Sequence, residues 1–536
     1  TSPVPYVLDK GLEINAKGVI LKSFDQFRLK SCIDFKLRDS EKYYINVQKL
    51  DGCYSYIGQV FSNGQDLSIG SYCDEISTVE HEFLHALGFY HEQSRPDRDD
   101  YVTIAFENIL SGYENNFKKV SSESSTTHGV AYDYWSVMHY SKDAFSNGNG
   151  STVITKDPKF QDVIGQRQEM SPSDVLELNL RYKCNSTIAF KMYCGFSNGT
   201  MCHMNRCSQN GIGWEIDKLI LDIILGHAGY FMHASTRSGK EGDSAWLETH
   251  RMSSNRECRV HCLQFYYYHN GSESDELHIW IREFRDEQDV KGTLRLVGYI
   301  AGNVRKGTGS SSGGFSIDDI NLSEIECPHV TIQLNDFEKL LSTSSFGTTI
   351  YSPRQYSSGG YSYRVAVVLY QSFVGLFVQF LSGKYDDQLE WPCPQRQVTF
   401  QLLDQTPNIQ HHMTKQRSIT TDPTHTSPQG KYSLYTGYFY WDDPQIKSRD
   451  FLKGGSAIFA FNFQGRLIKM ISLLTLIINL FCLEFYKYHK ILVRNSLCII
   501  VFNKFLCFCC SIFGFSPAMV ASPVLTLLLA LMLLIP

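Results

Sequence analysis

The eleven residues His81-Glu82-Phe83-Leu84-His85-Ala86-Leu87-Gly88-Phe89-Tyr90-His91 constrain this chain more than any other stretch. On a helix, residues four apart share a face, so His81 and His85 can present two imidazoles to one point. Glu82 sits beside the first of them, within reach of a metal-bound water. Gly88 can adopt φ > 0 and end the helix sharply, which would swing His91 round as a third ligand. Three protein ligands with a fourth position open describe a catalytic zinc site, not a closed structural one. A bare HExxH arises by chance in short helices; the added glycine and third histidine at these spacings do not. Ser136-Val137-Met138-His139-Tyr140 supplies a methionine turn. Alone it would be ordinary packing, but downstream of the first motif it belongs to the same site. The expectation is metal-assisted peptide hydrolysis with one Zn2+ and with Glu82 as general base.

At 536 residues the chain is long enough for three or four domains. A net charge of −5, with no basic stripe carrying interleaved aromatics, gives no reason to expect a nucleic-acid partner. The 16 cysteines are spread rather than clustered as CxxC pairs, and N-x-S/T sequons occur at Asn149, Asn185, Asn198, Asn270 and Asn321. Together they point to an oxidising, secretory compartment. The chain begins at Thr1 without an initiator Met, and no inhibitory prosegment is visible.

Residues 1 to about 184 read as an α/β unit. Ala16–Phe27 has helical apolar spacing, and Tyr43–Val47 and Leu67–Gly70 read as strands. Ser173–Leu180 reads as a closing helix capped by Ser171 or Ser173. A substrate would lie extended along an edge strand around Gln65–Gly70. From about 190 the texture becomes tyrosine-rich and alternating, as in Cys262–Tyr268 and Leu277–Ile281, which predicts a β-sandwich. Gly307–Gly314 reads as a solvated Gly/Ser turn. From 328 to about 463 a second β-rich stretch holds the buried-strand candidates Arg364–Tyr370 and Val398–Leu403. After 466 come three apolar runs, Ile468–Leu483, Cys498–Phe515 and Pro523–Pro536. None is a clean run of twenty, yet three in succession predict membrane contact.

The zinc motif continues as Glu92-Gln93-Ser94-Arg95-Pro96-Asp97-Arg98-Asp99-Asp100-Tyr101, and residues 1–184 thereby resemble the astacin family. Cys194, Cys202 and Ser316-Ile317-Asp318-Asp319-Ile320 resemble a MAM domain. Asp386–Pro394 and Arg417–Pro423 resemble a MATH (TRAF-like) domain. Protease, MAM and MATH in this order is the arrangement of the meprins. The resemblance implies a multidomain chain: a metzincin-like protease at 1–186, β-sandwiches at 190–327 and 328–465, and a hydrophobic tail at 466–536. It implies His81, His85 and His91 on zinc, Glu82 as base, and Tyr140 as a resting-state ligand or transition-state donor. Met138 would be an apolar floor, and Glu92 a structural partner of the site. It further implies disulfides Cys32–Cys184, Cys53–Cys73, Cys194–Cys202 and Cys262–Cys327. Cys207, Cys258 and Cys393 are left over, one of them a candidate for pairing between chains in a homo- or heterodimer.

Gly165-Gln166-Arg167 matches a family segment near the substrate pocket, which would let Arg167 favour an acidic residue after the scissile bond. β-type meprins draw also on a second basic residue, at a position where this chain has Tyr113. Other departures are shortened stretches between Tyr299 and Gly307 and between Pro444 and Lys447. There is no EGF-like module, and the tail is unlike a single membrane span. Substrates would be extracellular or cell-surface proteins and peptides. The contrasting expectation is an inert cell-surface adhesion or assembly protein that uses only its MAM and MATH modules.

Overall fold

The computed structural model describes residues 2–464 except 209–212, 219–228, 239, 251, 254–260, 286–295, 308–312, 390–394, 422–432, 441–442 and 448. The apolar runs after 466, the interior of the Gly307–Gly314 turn, Cys258, Cys393 and parts of both MATH-like motifs lie outside these residues. Among the described residues, no helix is long and apolar enough to cross a membrane. The chain divides into two compact units. One joins residues 1–186 with 328–404 and the chain from 412; the other joins 187–327 with 405–411.

The first unit begins with a five-stranded sheet. Its strands are β1 (Val4–Leu8), β2 (Phe35–Leu37), β3 (Ile45–Gln48), β4 (Cys53–Ser55) and β5 (Gln65–Ile69), in the order β2-β1-β3-β5-β4. All neighbours are parallel except β4, which runs antiparallel to β5 and forms the edge. This corrects the edge-strand expectation: Gln65–Ile69 is enclosed between β3 and β4, so its backbone groups are already paired. The edge next to it is β4, β2 being the edge at the other end of the sheet. Helix α1 (Ile14–Lys30) buries Ala16, Val19, Ile20, Phe24 and Phe27, an i, i+3, i+4 stripe. Phe24 stacks on Phe35 of β2 at 4.0 Å and meets Phe83 edge-on at 5.0 Å. Phe83 lies in helix α2 (Ile76–Ala86), so this ring cluster bolts the zinc-motif helix to the sheet. Helix α3 (Pro172–Tyr182) closes the region, with Ser171 as its cap and Asp174 completing a capping box. Disulfides Cys32–Cys184 and Cys53–Cys73 form as expected. The first closes a separation of 152 residues, a strong restriction on the unfolded chain.

The rest of this unit is an antiparallel sandwich. One sheet orders Val330–Leu334, Ala457–Gln464, Gln397–Leu402 and Lys415–Thr420; the other is built on Thr348–Tyr351, Ser362–Leu369, Phe373–Phe380 and Ser433–Tyr440. Alternate residues Val365, Val367 and Leu369 face Val398, Phe400 and Leu402 in one apolar core. Lys415–Thr420 is an edge strand, and the start of α1 covers it. Asn15 Nδ2 donates to Ser418 O at 2.9 Å, and its Oδ1 accepts from Thr420 Oγ1 at 3.0 Å.

The second unit is a sandwich of two five-stranded antiparallel sheets. Its apolar core includes Met192, Trp214, Met232, Ala245, Leu247, Phe315 and Ile320. Cys194–Cys202 and Cys262–Cys327 staple it, again as expected. Asn321 is 4% exposed; its Nδ2 donates to Asp319 O and Pro407 O, and its Oδ1 accepts from Ile409 N. That sequon is part of the interior packing, unlike those at Asn149 and Asn185, which lie on the surface.

Candidate active site

Helix α2 carries His81 and His85 on one face, and its end is a Schellman turn. Gly88 N donates to His85 O at 2.8 Å and Phe89 N to Leu84 O at 3.0 Å, with Gly88 at φ +95°. A Cβ at Gly88 would also run into the Arg181 guanidinium at 2.3 Å. Arg181 Nε and Tyr182 Oη, from α3, both donate to Leu87 O and cap the turn. The chain reverses here, and His91 comes to face the helix. Ligand-capable nitrogens of His81, His85 and His91 all lie within 4.8 Å of one another.

The orientation of each ring follows from its outer nitrogen. His81 Nδ1 contacts Val137 O at 2.8 Å and His85 Nδ1 contacts Phe89 O at 2.7 Å. A carbonyl only accepts, so both Nδ1 atoms carry hydrogen and both Nε2 atoms offer lone pairs inward. His85 Nε2 and His91 Nε2 stand 3.2 Å apart. Burial, reinforced at His81 and His91 by neighbouring cationic groups, lowers all three pKa values and keeps the rings neutral, as ligation requires. Glu82 is 4% exposed, and its Oε2 has no partner among the described residues. Burial pushes its carboxyl up to about 8, with Arg167 pulling the other way. Three converging nitrogens beside an orphaned carboxylate oxygen fit a divalent cation with a water on it, and the all-imidazole donor set suits zinc.

The methionine turn lies beneath. Met138 is 2% exposed in the protease core, and its carbonyl accepts from Glu92 N at 3.1 Å. The Glu92 carboxylate accepts from Asp133 N at 2.8 Å and pairs with Arg95 at 3.2 Å. It lines a cavity of about 400 Å³ with His91, Arg95, Glu177 and the 122–128 loop. Tyr140 places its ring 4.4 Å from that of His91; burial, then Glu82, pushes its phenol up to about 12. Tyr113 stacks on Phe145 at 4.9 Å, and Phe145 meets the Tyr140 ring at 5.6 Å, so a neutral aromatic wall stands where a second cation was absent from the sequence. Arg167 is held by Nη1, which donates to Gln166 O at 2.8 Å and Val137 O at 3.3 Å. Glu82, Glu75 and Tyr140 are the groups whose charges act on it. Of the site residues expected from the sequence, His81, His85 and His91 converge on one point, and Glu82, Tyr140 and Arg167 lie near enough to act on one another electrostatically.

Sequence reasoning missed the supports. His139 is fully buried between Tyr132 Oη and Tyr140 O, each at 2.7 Å. Gln93 Oε1 accepts from Tyr140 N at 3.0 Å. Asp174 gathers Ser136 Oγ, Val137 N and Ser171 N, tying the methionine turn to α3. Glu80 is fully buried next to His81 and accepts from Met170 N at 2.8 Å. None of these has a local signature except Asp174, whose spacing from Ser171 is that of a capping box and could have singled out Ser171 over Ser173 as the cap.

A histidine-rich helix, a glycine turn and a methionine turn define a zinc endopeptidase of the metzincin class. The profile of the Astacin peptidase family matches residues 1–183, the MAM domain profile (meprin/A5/mu) residues 194–298, and the MATH domain profile residues 329–461. Meprin A subunit beta of Rattus norvegicus is 44% identical over 506 residues, covering 84% of this chain and 71% of its own. The Homo sapiens subunit beta is 42% identical over 515 residues, covering 84% and 72%, and the Mus musculus subunit alpha 35% over 530 residues, covering 86% and 70%. The chain belongs to the meprins of the astacin family, and it is a zinc metalloendopeptidase. Among solved structures, the hatching enzyme HCE-1 of Oryzias latipes is 37% identical and aligns with TM-score 0.32, covering 34% of this chain and 90% of that one.

Proposed function

We propose that this chain cleaves peptide bonds of extracellular or cell-surface proteins and peptides, with His81, His85 and His91 holding one Zn2+ and Glu82 as general base. The observation that carries this reading is the convergence of three neutral imidazoles beside the unpartnered Glu82 Oε2. Zinc bound there would supply Lewis acidity to a water and to the scissile carbonyl. Glu82, buried beside the imidazoles with its Oε2 unpartnered among the described residues, takes the proton of the attacking water and returns it to the leaving amine. Tyr140, still protonated at any working pH, donates to the developing oxyanion, one such donor being worth roughly 3 kcal/mol. The substrate pairs along the free edge of β4. Arg167 receives an acidic side chain after the scissile bond, and Met138 and Glu92 hold the floor and flank.

The same reading divides the chain at 1–186, 190–327, 328–465 and 466–536. It places the chain at the cell surface, joined to a second subunit by a spare cysteine, with the tail as membrane contact. A mixed peptide library incubated with the full chain, with and without a chelator, tests the activity. The expected result is chelator-sensitive cutting before Asp or Glu. Cutting without acidic preference removes Arg167 from the pocket, and no cutting by folded, zinc-loaded chain overturns the proposal.

A further inference from the structure

Arg167 lies on a short segment, Gln166–Met170, held from two sides. On the inner side, Gln166 Nε2 donates to Trp135 O and Glu169 O, and Met170 N donates to Glu80 of the zinc-motif helix at 2.8 Å. The outer side is supplied by the MATH domain. Lys415 Nζ donates to the carbonyl of Arg167 itself at 3.0 Å, across 248 positions. Gln416 Nε2 donates to Glu169 Oε1. Gln168 Nε2 donates to Gln445 O at 2.9 Å, and Gln445 Nε2 returns a bond to Val163 O at 3.3 Å. The remaining Glu169 oxygen meets Lys30 at 2.7 Å, and the same ammonium reaches His412 O at 2.8 Å. Three consecutive residues, 167 to 169, are therefore each tied to the MATH region.

This is more than packing needs. The edge strand Lys415–Thr420 is already docked through Asn15 at its far end. Polar bonds gathered on one three-residue stretch fix the height and tilt of the Arg167 backbone, and Arg167 projects its guanidinium from there. Inside the protease, only its Nη1 is anchored, to two carbonyls. A shift of that backbone carries the side chain with it, and a displacement of about 1 Å at a positioning group can cost a hundredfold in rate.

We propose that Lys415 and Gln416 of the MATH domain are positioning residues for the substrate pocket, setting selectivity for the residue after the scissile bond by fixing the Arg167 segment from outside the protease. The proposal rests on the reading of Arg167 as the acidic subsite. It makes the MATH domain part of the specificity apparatus while leaving substrate contact to the protease.

The test is kcat and KM of the full chain on two matched peptides, one with Asp after the scissile bond and one with Ala. In Lys415→Met the Asp-over-Ala preference in kcat/KM should fall about tenfold, the worth of one well-placed polar interaction, mainly through KM for the Asp peptide. Cleavage of the Ala peptide and zinc content should stay unchanged. Lys415→Arg should restore the preference, and Lys415→Met should have no further effect once Arg167→Ala is present. Gln416→Met, which removes the neighbouring bond to Glu169, gives a second reading of the same segment should Lys415→Met not fold. An unchanged preference in folded Lys415→Met, or an equal fall for both peptides, overturns the proposal and leaves the subsite reading intact. A wild-type chain that does not distinguish the two peptides overturns the subsite reading and this proposal with it.

Discussion

The protease and MATH regions share one compact unit but have opposite interiors. Around the protease core lie Lys30, Glu80, Glu82, Glu92, Glu169 and Asp174, all nearly or wholly out of solvent. The MATH core is dry: valine, leucine and phenylalanine from two facing sheets, with Arg396 and Asp404 as the buried charged groups among its described residues. The protease carries two disulfides; the described MATH residues carry none. Burying a charge is expensive unless it is paired, and a hydrophobic replacement is often no less stable. A fold retains such groups where they do something apolar residues cannot. In the protease they orient imidazoles, hold a base and present a guanidinium, whereas the interior of the sandwich only has to be stiff, its edge strand carrying the polar bonds to the Arg167 segment.

That contrast predicts a separation of activity from stability. Glu82→Ala should lower kcat by about a thousandfold, as loss of a general base does, with zinc retained. Its melting temperature should hold or rise, because the substitution removes a buried carboxylate oxygen that has no partner. A kcat within tenfold of wild type would dismiss Glu82 as the base. Lys30→Ala should act the other way. It strands the Glu169 carboxylate in a site where both partners are buried, costing about 3–5 kcal/mol in denaturant unfolding. Lys30→Met combined with Glu169→Gln should recover most of that loss. If the double replacement is no better than the single one, the pair is not what holds these charges inside.

How much of this was legible follows the distance over which each feature is encoded. The zinc motif spans eleven residues of one helix and its turn, so spacing alone predicted the convergence of His81, His85 and His91. The α3 cap was narrowed to Ser171 or Ser173, and the reciprocal bonds of Ser171 with Asp174, within one turn, single out Ser171. The four disulfides came through the family resemblance. The β4 edge was missed: three residues, Cys53–Ser55, are too short for alternation to register, and the longer apolar β5 attracted the assignment instead. Asn321 looked like a surface acceptor because a sequon is a triplet and says nothing of the sheet that buries it. The Lys30–Glu169 pair is separated by 139 positions and the Lys415–Arg167 contact by 248, beyond any local pattern. Long-range polar contacts of that kind are where sequence reading ends.

Two smaller effects sharpen the comparison. Leu376→Ala in the MATH core should cost about 2–5 kcal/mol by opening a cavity, yet leave kcat per folded molecule near wild type. A large fall in kcat with little loss of stability would mean that the sandwich does more than support.

The last effect depends on pH. Burial first, then Asp133, pushes the Asp174 carboxyl up to about 6 from an ordinary 3.8. The folded state therefore holds this proton more tightly than the unfolded state does. Asp174 contributes its full stabilisation below about 4 and loses it as pH rises through 6, a change on the order of 1–3 kcal/mol. Asp174→Asn keeps an oxygen for the Val137 and Ser171 amides and an amide for Ser136, but it cannot titrate. Unfolding free energies measured from pH 4 to 7 should show a falling contribution in the wild type that is missing in the variant. Parallel curves would mean that the three hydrogen bonds already hold Asp174 ionised throughout, and that the methionine turn is anchored by a true charge.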